Sequence, residues 1–256
     1  MRFMLWLVDH PLVFFVATLA LLFAAAELGA LARIHGHKLT AAERSEFDLV
    51  RAAMFTLFGL LVGFAITMAV SRFDLRKSYE EAEANAIGTE NLRLDFLSPE
   101  TASAARALLK AYAEKRIVFY TEFDAERLAR NEIETAATQK ALWEAIAPAA
   151  KKEPTPIMGL VVAGMNDVLN SQGYTLSAFR NRLPVEVWIL LTVTAAACNF
   201  LIGLGAERLS PATHAVLPLA AALAFFLISD VEGPRSGLVR VHPVNIEDAA
   251  RAIGAN

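Results

Sequence analysis

The chain has 256 residues, 55% of them hydrophobic and 20% charged, with a mean hydropathy of +0.41. Its 24 basic and 27 acidic groups nearly cancel, so no overall positive field is present to recruit nucleic acid. Cys198 is the only cysteine, which excludes a disulfide-stapled scaffold.

The apolar excess is concentrated in four blocks. Leu12 to Leu31 carries one charge, Glu27, and Ala52 to Val70 carries none. Val185 to Gly205 has Glu186 at its start, and Pro211 to Ile228 has His214 and Pro218 in its first half. A helix rising 1.5 Å per residue needs roughly 20 apolar residues to cross a bilayer. All four blocks reach or approach that length, so the sequence predicts an all-α integral membrane protein with four transmembrane helices. The first block exceeds the roughly 7–15 residue core of a cleaved signal peptide and reads as a retained span.

Residues 72–184, between the second and third blocks, are polar and rich in helix formers. Ser98-Pro99-Glu100 marks a helix start, with an N-cap, proline at the first helical position and an acid in the first turn. Leu108, Tyr112, Phe119 and Phe123 then recur at helical spacing. Pro148 to Pro156 reads as a loop, and a second amphipathic segment carries Ile157, Leu160, Val161, Met165, Val168 and Leu169. The organisation is therefore helices 1 and 2 in residues 1–71, a helical domain in 72–184, helices 3 and 4 in 185–229, and a tail in 230–256. Arg72, Arg76, Lys77, Arg180, Arg182, Arg235 and Arg240 flank the spans on one side. By the positive-inside rule they place the helical domain and both termini in the cytoplasm, although Arg33, Lys38 and Arg44 lie in the opposite loop.

No catalytic or phosphate-binding motif is present, and the chain does not read as an enzyme. His35 and His37 have a spacing that fits one metal ion but lack a third ligand nearby, so they read as an exposed polar loop. Glu80, Glu81 and Glu83 read as a solvated helix face. Neither a metal nor a cofactor is expected. Glu27 is costly inside a span. It lies near one end of its helix, where it faces water or pairs with Arg51, as a pore-mouth or helix-pairing residue.

The second block combines Gly59 and Gly63 with Thr56, Thr67, Ser71, Phe58 and Phe64. Thr56, Leu60 and Phe64 fall at i, i+4 and i+8 and form one stripe. Small residues allow close helix approach and hydroxyls bond across helices, so the stripe reads as a packing face. It also fits an apolar constriction around an axis, which gates by dewetting.

The run Gly63-Phe64-Ala65-Ile66-Thr67-Met68-Ala69-Val70-Ser71-Arg72-Phe73 resembles the end of the second helix of bestrophins. Glu83-Ala84-Asn85-Ala86-Ile87-Gly88-Thr89, Leu92-Arg93 and Gly233-Pro234-Arg235-Ser236-Gly237 resemble a bacterial family labelled bestrophin-like. The resemblance implies four spans, a helical cytoplasmic insertion between the second and third, and a homo-pentameric channel passing monovalent ions across the inner membrane. It also implies a hydrophobic neck made by Phe64, Leu60 and Thr56. The chain departs from the pattern at polar Thr56, and at Asp74 and Arg76, which fall out of register. Animal bestrophins bind calcium through an acidic cluster after the fourth span. Here Asp230 and Glu232 run into Gly, Pro, Arg and Ser, so no such site is expected.

Overall fold

The computed structural model describes residues 2–35, 40–205 and 211–254, so His37 and Lys38 lie outside the described residues. Every regular element among the described residues is helical: α1 (Arg2–Val8), α2 (Pro11–His35), α3 (Ala41–Arg93), a 3₁₀ turn (Leu94–Phe96), α4 (Pro99–Thr121), α5 (Ala125–Lys152), α6 (Pro156–Arg180), α7 (Val185–Gly205), α8 (Pro211–Glu232) and α9 (Val244–Gly254). The four apolar blocks fall within α2, α3, α7 and α8, each long and apolar enough to cross a membrane. The chain forms two compact units, Met1–Phe73 with Arg182–Arg240 and Asp74–Asn181 with Val241–Asn256, and α3 contributes to both.

The first unit gathers the four apolar segments around aromatic side chains. Phe14 of α2 meets the Trp188 ring of α7 edge-on at 5.2 Å and stacks at 6.1 Å on Phe225 of α8. Phe58 of α3 closes on Phe225 at 6.3 Å. The Cys198 thiol is buried and points at the Met54 carbonyl, 3.5 Å away.

Within a bilayer, lipid tails are as apolar as leucine, so helix association depends on close packing. Here α2 and α7 meet backbone to backbone. A Cβ on Gly29 would strike the Phe200 carbonyl oxygen, and one on Gly203 would strike the Ala26 carbonyl oxygen. The glycines singled out in the sequence behave differently: a Cβ at Gly59 or Gly63 would meet nothing within 4 Å. The hydroxyls of Thr56 and Thr67 also stay on their own helix. Thr56 donates to the Ala52 carbonyl at 3.0 Å and Thr67 to that of Gly63 at 2.9 Å.

In the second unit the helix starts follow capping chemistry. The Ser98 hydroxyl accepts from the Thr101 amide at 3.4 Å with Pro99 in the first turn, and the Asp124 carboxylate accepts from the Arg127 amide at 2.8 Å. The loop expected from Pro148 is shorter than the sequence suggests, because α5 continues to Lys152 with Pro148 inside it. Proline there removes one hydrogen bond in the last turns, while Ile146 is already anchored in the core. The break falls at Pro154, after which Thr155 caps α6 by accepting from the Met158 amide at 3.2 Å. Tyr112, Phe119, Val161, Met165 and Val168 are buried as their spacing predicts, whereas Phe123, Ile157 and Leu160 are exposed. Phe123 lies past the end of α4, and Ile157 and Leu160 flank the buried face that Met158 and Val161 define.

Gly203→Val places a branched side chain against the α2 backbone, which cannot yield as a flexible side chain does. Overpacking costs about 1–3 kcal/mol even where neighbours adjust, so we expect Gly203→Val to lower the thermal midpoint sharply or abolish folding. Gly173→Ala, whose Cβ would meet nothing within 4 Å in α6, should raise it, since alanine is favoured over glycine in a helix by about 0.5–1 kcal/mol. Thermal unfolding of the purified variants in detergent checks both.

Candidate functional site

Helix α3 is uninterrupted over 53 residues and carries faces that differ in burial. In its uncharged segment, Phe58, Ala65 and Ala69 turn into the core of the first unit. Thr56, Leu60 and Phe64 lie on the outward face, with Leu60 54% and Phe64 59% exposed. Gly59 and Gly63 sit beside them with open space where a side chain would be. Because the Thr56 hydroxyl hydrogen is already committed to the Ala52 carbonyl, this position has no donor left to offer water. Thr56 is therefore less polar in place than its residue type suggests.

Glu27 and Arg51 are not partners of each other. The Glu27 carboxylate meets Nε2 of His214 in α8 at 3.0 Å, and Arg51 pairs with Asp48 one turn back at 2.8 Å. In the sequence His214 stands out only as an interruption of the fourth block, and its pairing across α2 and α8 is a tertiary fact that spacing does not contain. The His35 Nδ1 lies 2.9 Å from the Leu31 carbonyl of its own helix.

The acidic residues at the end of α8 are engaged by the backbone. Asp230 accepts from the amides of Leu238 and Val239 at 2.6 and 3.0 Å. Glu232 accepts from the Leu183 amide at 2.5 Å and lies 3.7 Å from Arg72. Ser229 donates to the Val8 carbonyl at 2.7 Å. These bonds stitch the end of α8 to α1, to the start of α7 and to the Gly233–Gly237 turn. Gly237 is required there, because a Cβ would strike the Asp230 carbonyl oxygen.

In the second unit, α3 buries a charged stripe: Arg76, Glu80, Glu83, Ile87 and Glu90, spaced by three and four residues. Arg76 donates to the Ala178 and Asn181 carbonyls at the end of α6. Glu80 accepts from the Ile246 amide at 3.0 Å and the Asn245 side chain at 2.6 Å, capping the start of α9. Glu83 accepts from Arg116 (Nη2 at 3.2 Å), from the Tyr112 hydroxyl at 3.0 Å and from Thr175 at 3.1 Å. Only Glu81 of the three glutamates expected on a solvated face is exposed. The signal that locates the other two is their register with Ile87 and Leu94, which are also buried.

The ionisation of this cluster follows its surroundings. Burial, reinforced by the charge of Glu83, pushes the Tyr112 phenol well above its ordinary range. Burial also works against charge on Arg116, but the Glu83 carboxylate outweighs it and leaves the guanidinium more firmly protonated than usual. The group is a locked structural network rather than an acid–base pair.

The arrangement of helices has counterparts among known proteins. A family model, the Bestrophin-like domain, matches residues 14–246. The chain belongs to the Bestrophin-like family. No curated protein matches it by sequence. Among solved structures, a point mutant of a bacterial bestrophin homolog from Klebsiella pneumoniae is similar with a TM-score of 0.66 at 14% identity, over 94% of this chain and 99% of that one. The same homolog solved by Zn-SAD phasing gives 0.62 at 17% identity, over 93% of this chain and 96% of that one. A likeness at that identity establishes the bestrophin fold.

Removing one side of the buried Glu83–Arg116 pair strands a charge, which costs about 3–5 kcal/mol. Arg116→Leu in this bestrophin-like chain should therefore lower the thermal midpoint by on the order of 10 °C. Adding Glu83→Leu to it should recover part of the loss, because no buried charge is then left unpaired. Unfolding followed by circular dichroism checks the ordering.

Proposed function

We propose that the chain is the subunit of a homo-pentameric, passive ion channel in the bacterial inner membrane, with residues 72–184 and both termini cytoplasmic. The observation that carries this reading is the outward, uncharged face of α3 formed by Thr56, Leu60 and Phe64. Membership of the Bestrophin-like family supports the same arrangement. Closed cyclic symmetry places one copy of each residue in every ring around the axis. Rings of Phe64 and Leu60, with Thr56 bonded to its own backbone, make a narrow apolar neck that monovalent ions cross only when it is wetted. Gly59 and Gly63 leave room for neighbouring copies of α3 to approach. The reading needs no catalytic step, cofactor or metal.

A second reading keeps the scaffold without conduction, as a membrane signalling or assembly protein that recruits a partner. Its support is an open groove of about 690 Å³ between α5 and α6, lined by Trp143, Pro154, Pro156, Met158, Gly159 and Val162, with Ile157 and Leu160 exposed. The channel is favoured because its stripe lies on the uncharged, bilayer-length segment of α3 from Ala52 to Val70.

Purified protein reconstituted into planar bilayers should pass ion currents, and Phe64→Ala should raise the open-state current by widening the neck. Absence of current under every condition defeats conduction, and currents unchanged by Phe64→Ala defeat the neck. The detergent-solubilised protein should have five subunits by native mass measurement; a stable monomer or dimer removes the axial pore.

A further inference from the structure

Among the four charged residues of the buried α3 stripe, Glu90 differs from the rest. It is 0% exposed, yet neither carboxyl oxygen has a hydrogen-bond partner among the described residues. It rests against α6 at Gly164, where a Cβ would strike both Glu90 Oε2 and Arg93 Nη1. Glycine at this position is what admits the carboxyl group to the surface of α6. The charged groups facing it are Arg93, from α3 itself, and Asp167, from α6.

A buried carboxyl that accepts no hydrogen bond is stable there only in its neutral form. We propose that Glu90 and Gly164 form a proton-binding latch between α3 and α6. With the carboxyl protonated the two helices stay closed on the notch. When the proton passes to bulk water, the carboxylate leaves the notch toward Arg93 and solvent. The latch is a property of the second unit and stands whether or not the protein conducts ions.

The surrounding charges set the pH at which the latch works. Burial raises the Glu90 pKa from 4.5 to about 8, with Arg93 pulling it down and Asp167 pushing it up. The folded unit binds this proton more tightly than the unfolded chain, so the contribution of Glu90 to stability is full below about pH 4.5. It declines as pH rises, and is lost above about 8.

The test is hydrogen exchange of the full-length protein in detergent, read at the amides of residues 160–168 and corrected for the intrinsic pH dependence of exchange. In the wild type, protection of this segment should be constant below about pH 4.5, fall by up to about tenfold for each pH unit between there and about 8, and level off above. Glu90→Gln should keep the segment protected throughout, and Gly164→Ala should leave it poorly protected at every pH. Two further variants keep the idea testable should either of these fail to fold. Arg93→Gln should move the midpoint to higher pH, and Asp167→Asn should move it lower. Wild-type protection that does not change between pH 6.5 and 9.5 overturns the latch. So does a fall of equal size in Glu90→Gln, or a midpoint that ignores both Arg93 and Asp167.

Discussion

The second unit depends on one carboxylate. Glu83 accepts from a guanidinium, a phenol and a hydroxyl, and in doing so ties α3 to α4 and to α6 at a single point. A buried charge is tolerated only when its neighbours satisfy it fully, so the positions of Arg116, Tyr112 and Thr175 are constrained together rather than one by one. The aromatic rings around the guanidinium extend the constraint. Arg116 lies over the Phe119 ring at 4.3 Å, and Phe119 and Tyr120 both pack on Phe179 of α6. Arg76 and Glu80 repeat the device on a smaller scale, each engaging backbone groups at the end of another helix. This stretch of α3 is an organiser whose specificity comes from directional bonds.

The first unit solves the opposite problem. Its helices have few polar groups to direct them, and lipid provides no hydrophobic force to press them together. Shape does the work instead. Gly29 and Gly203 remove the side chains that would separate α2 from α7, and the Phe14, Trp188 and Phe225 rings fill the remaining space. Polar ties appear at the end of α8, where Ser229, Asp230 and Glu232 find backbone partners. The outward face of α3 at Leu60 and Phe64 takes no part in this packing, which leaves it available for the neck we propose.

The spans, the all-α class and several helix starts are legible in the sequence because each rests on local chemistry. A bilayer-length apolar run, a serine before proline and an alternation of Tyr112 with Phe119 need no knowledge of distant residues. The family is legible too, through short motifs in α3 and the tail. What escapes is whatever depends on a partner far along the chain. Glu80 and Glu83 look solvated until Asn245 and Arg116 are brought to them, and Glu27 finds His214, 187 residues away, rather than Arg51. The glycines that matter for packing escape for the same reason. Gly29 and Gly203 are no more conspicuous than Gly59 and Gly63, and only the tertiary approach of α2 to α7 distinguishes them. For the stripe of Thr56, Leu60 and Phe64, sequence supplies the register and structure supplies its outward aspect.

The position of Cys198 has a practical meaning for the chemistry of the whole molecule. The chain's single thiol is enclosed between α7 and α3, facing a backbone carbonyl. Burial keeps oxidants and alkylating reagents in the aqueous phase away from it. The natural thiol is therefore shielded from its surroundings, and a cysteine introduced on the surface of the native protein can be modified in preference to it.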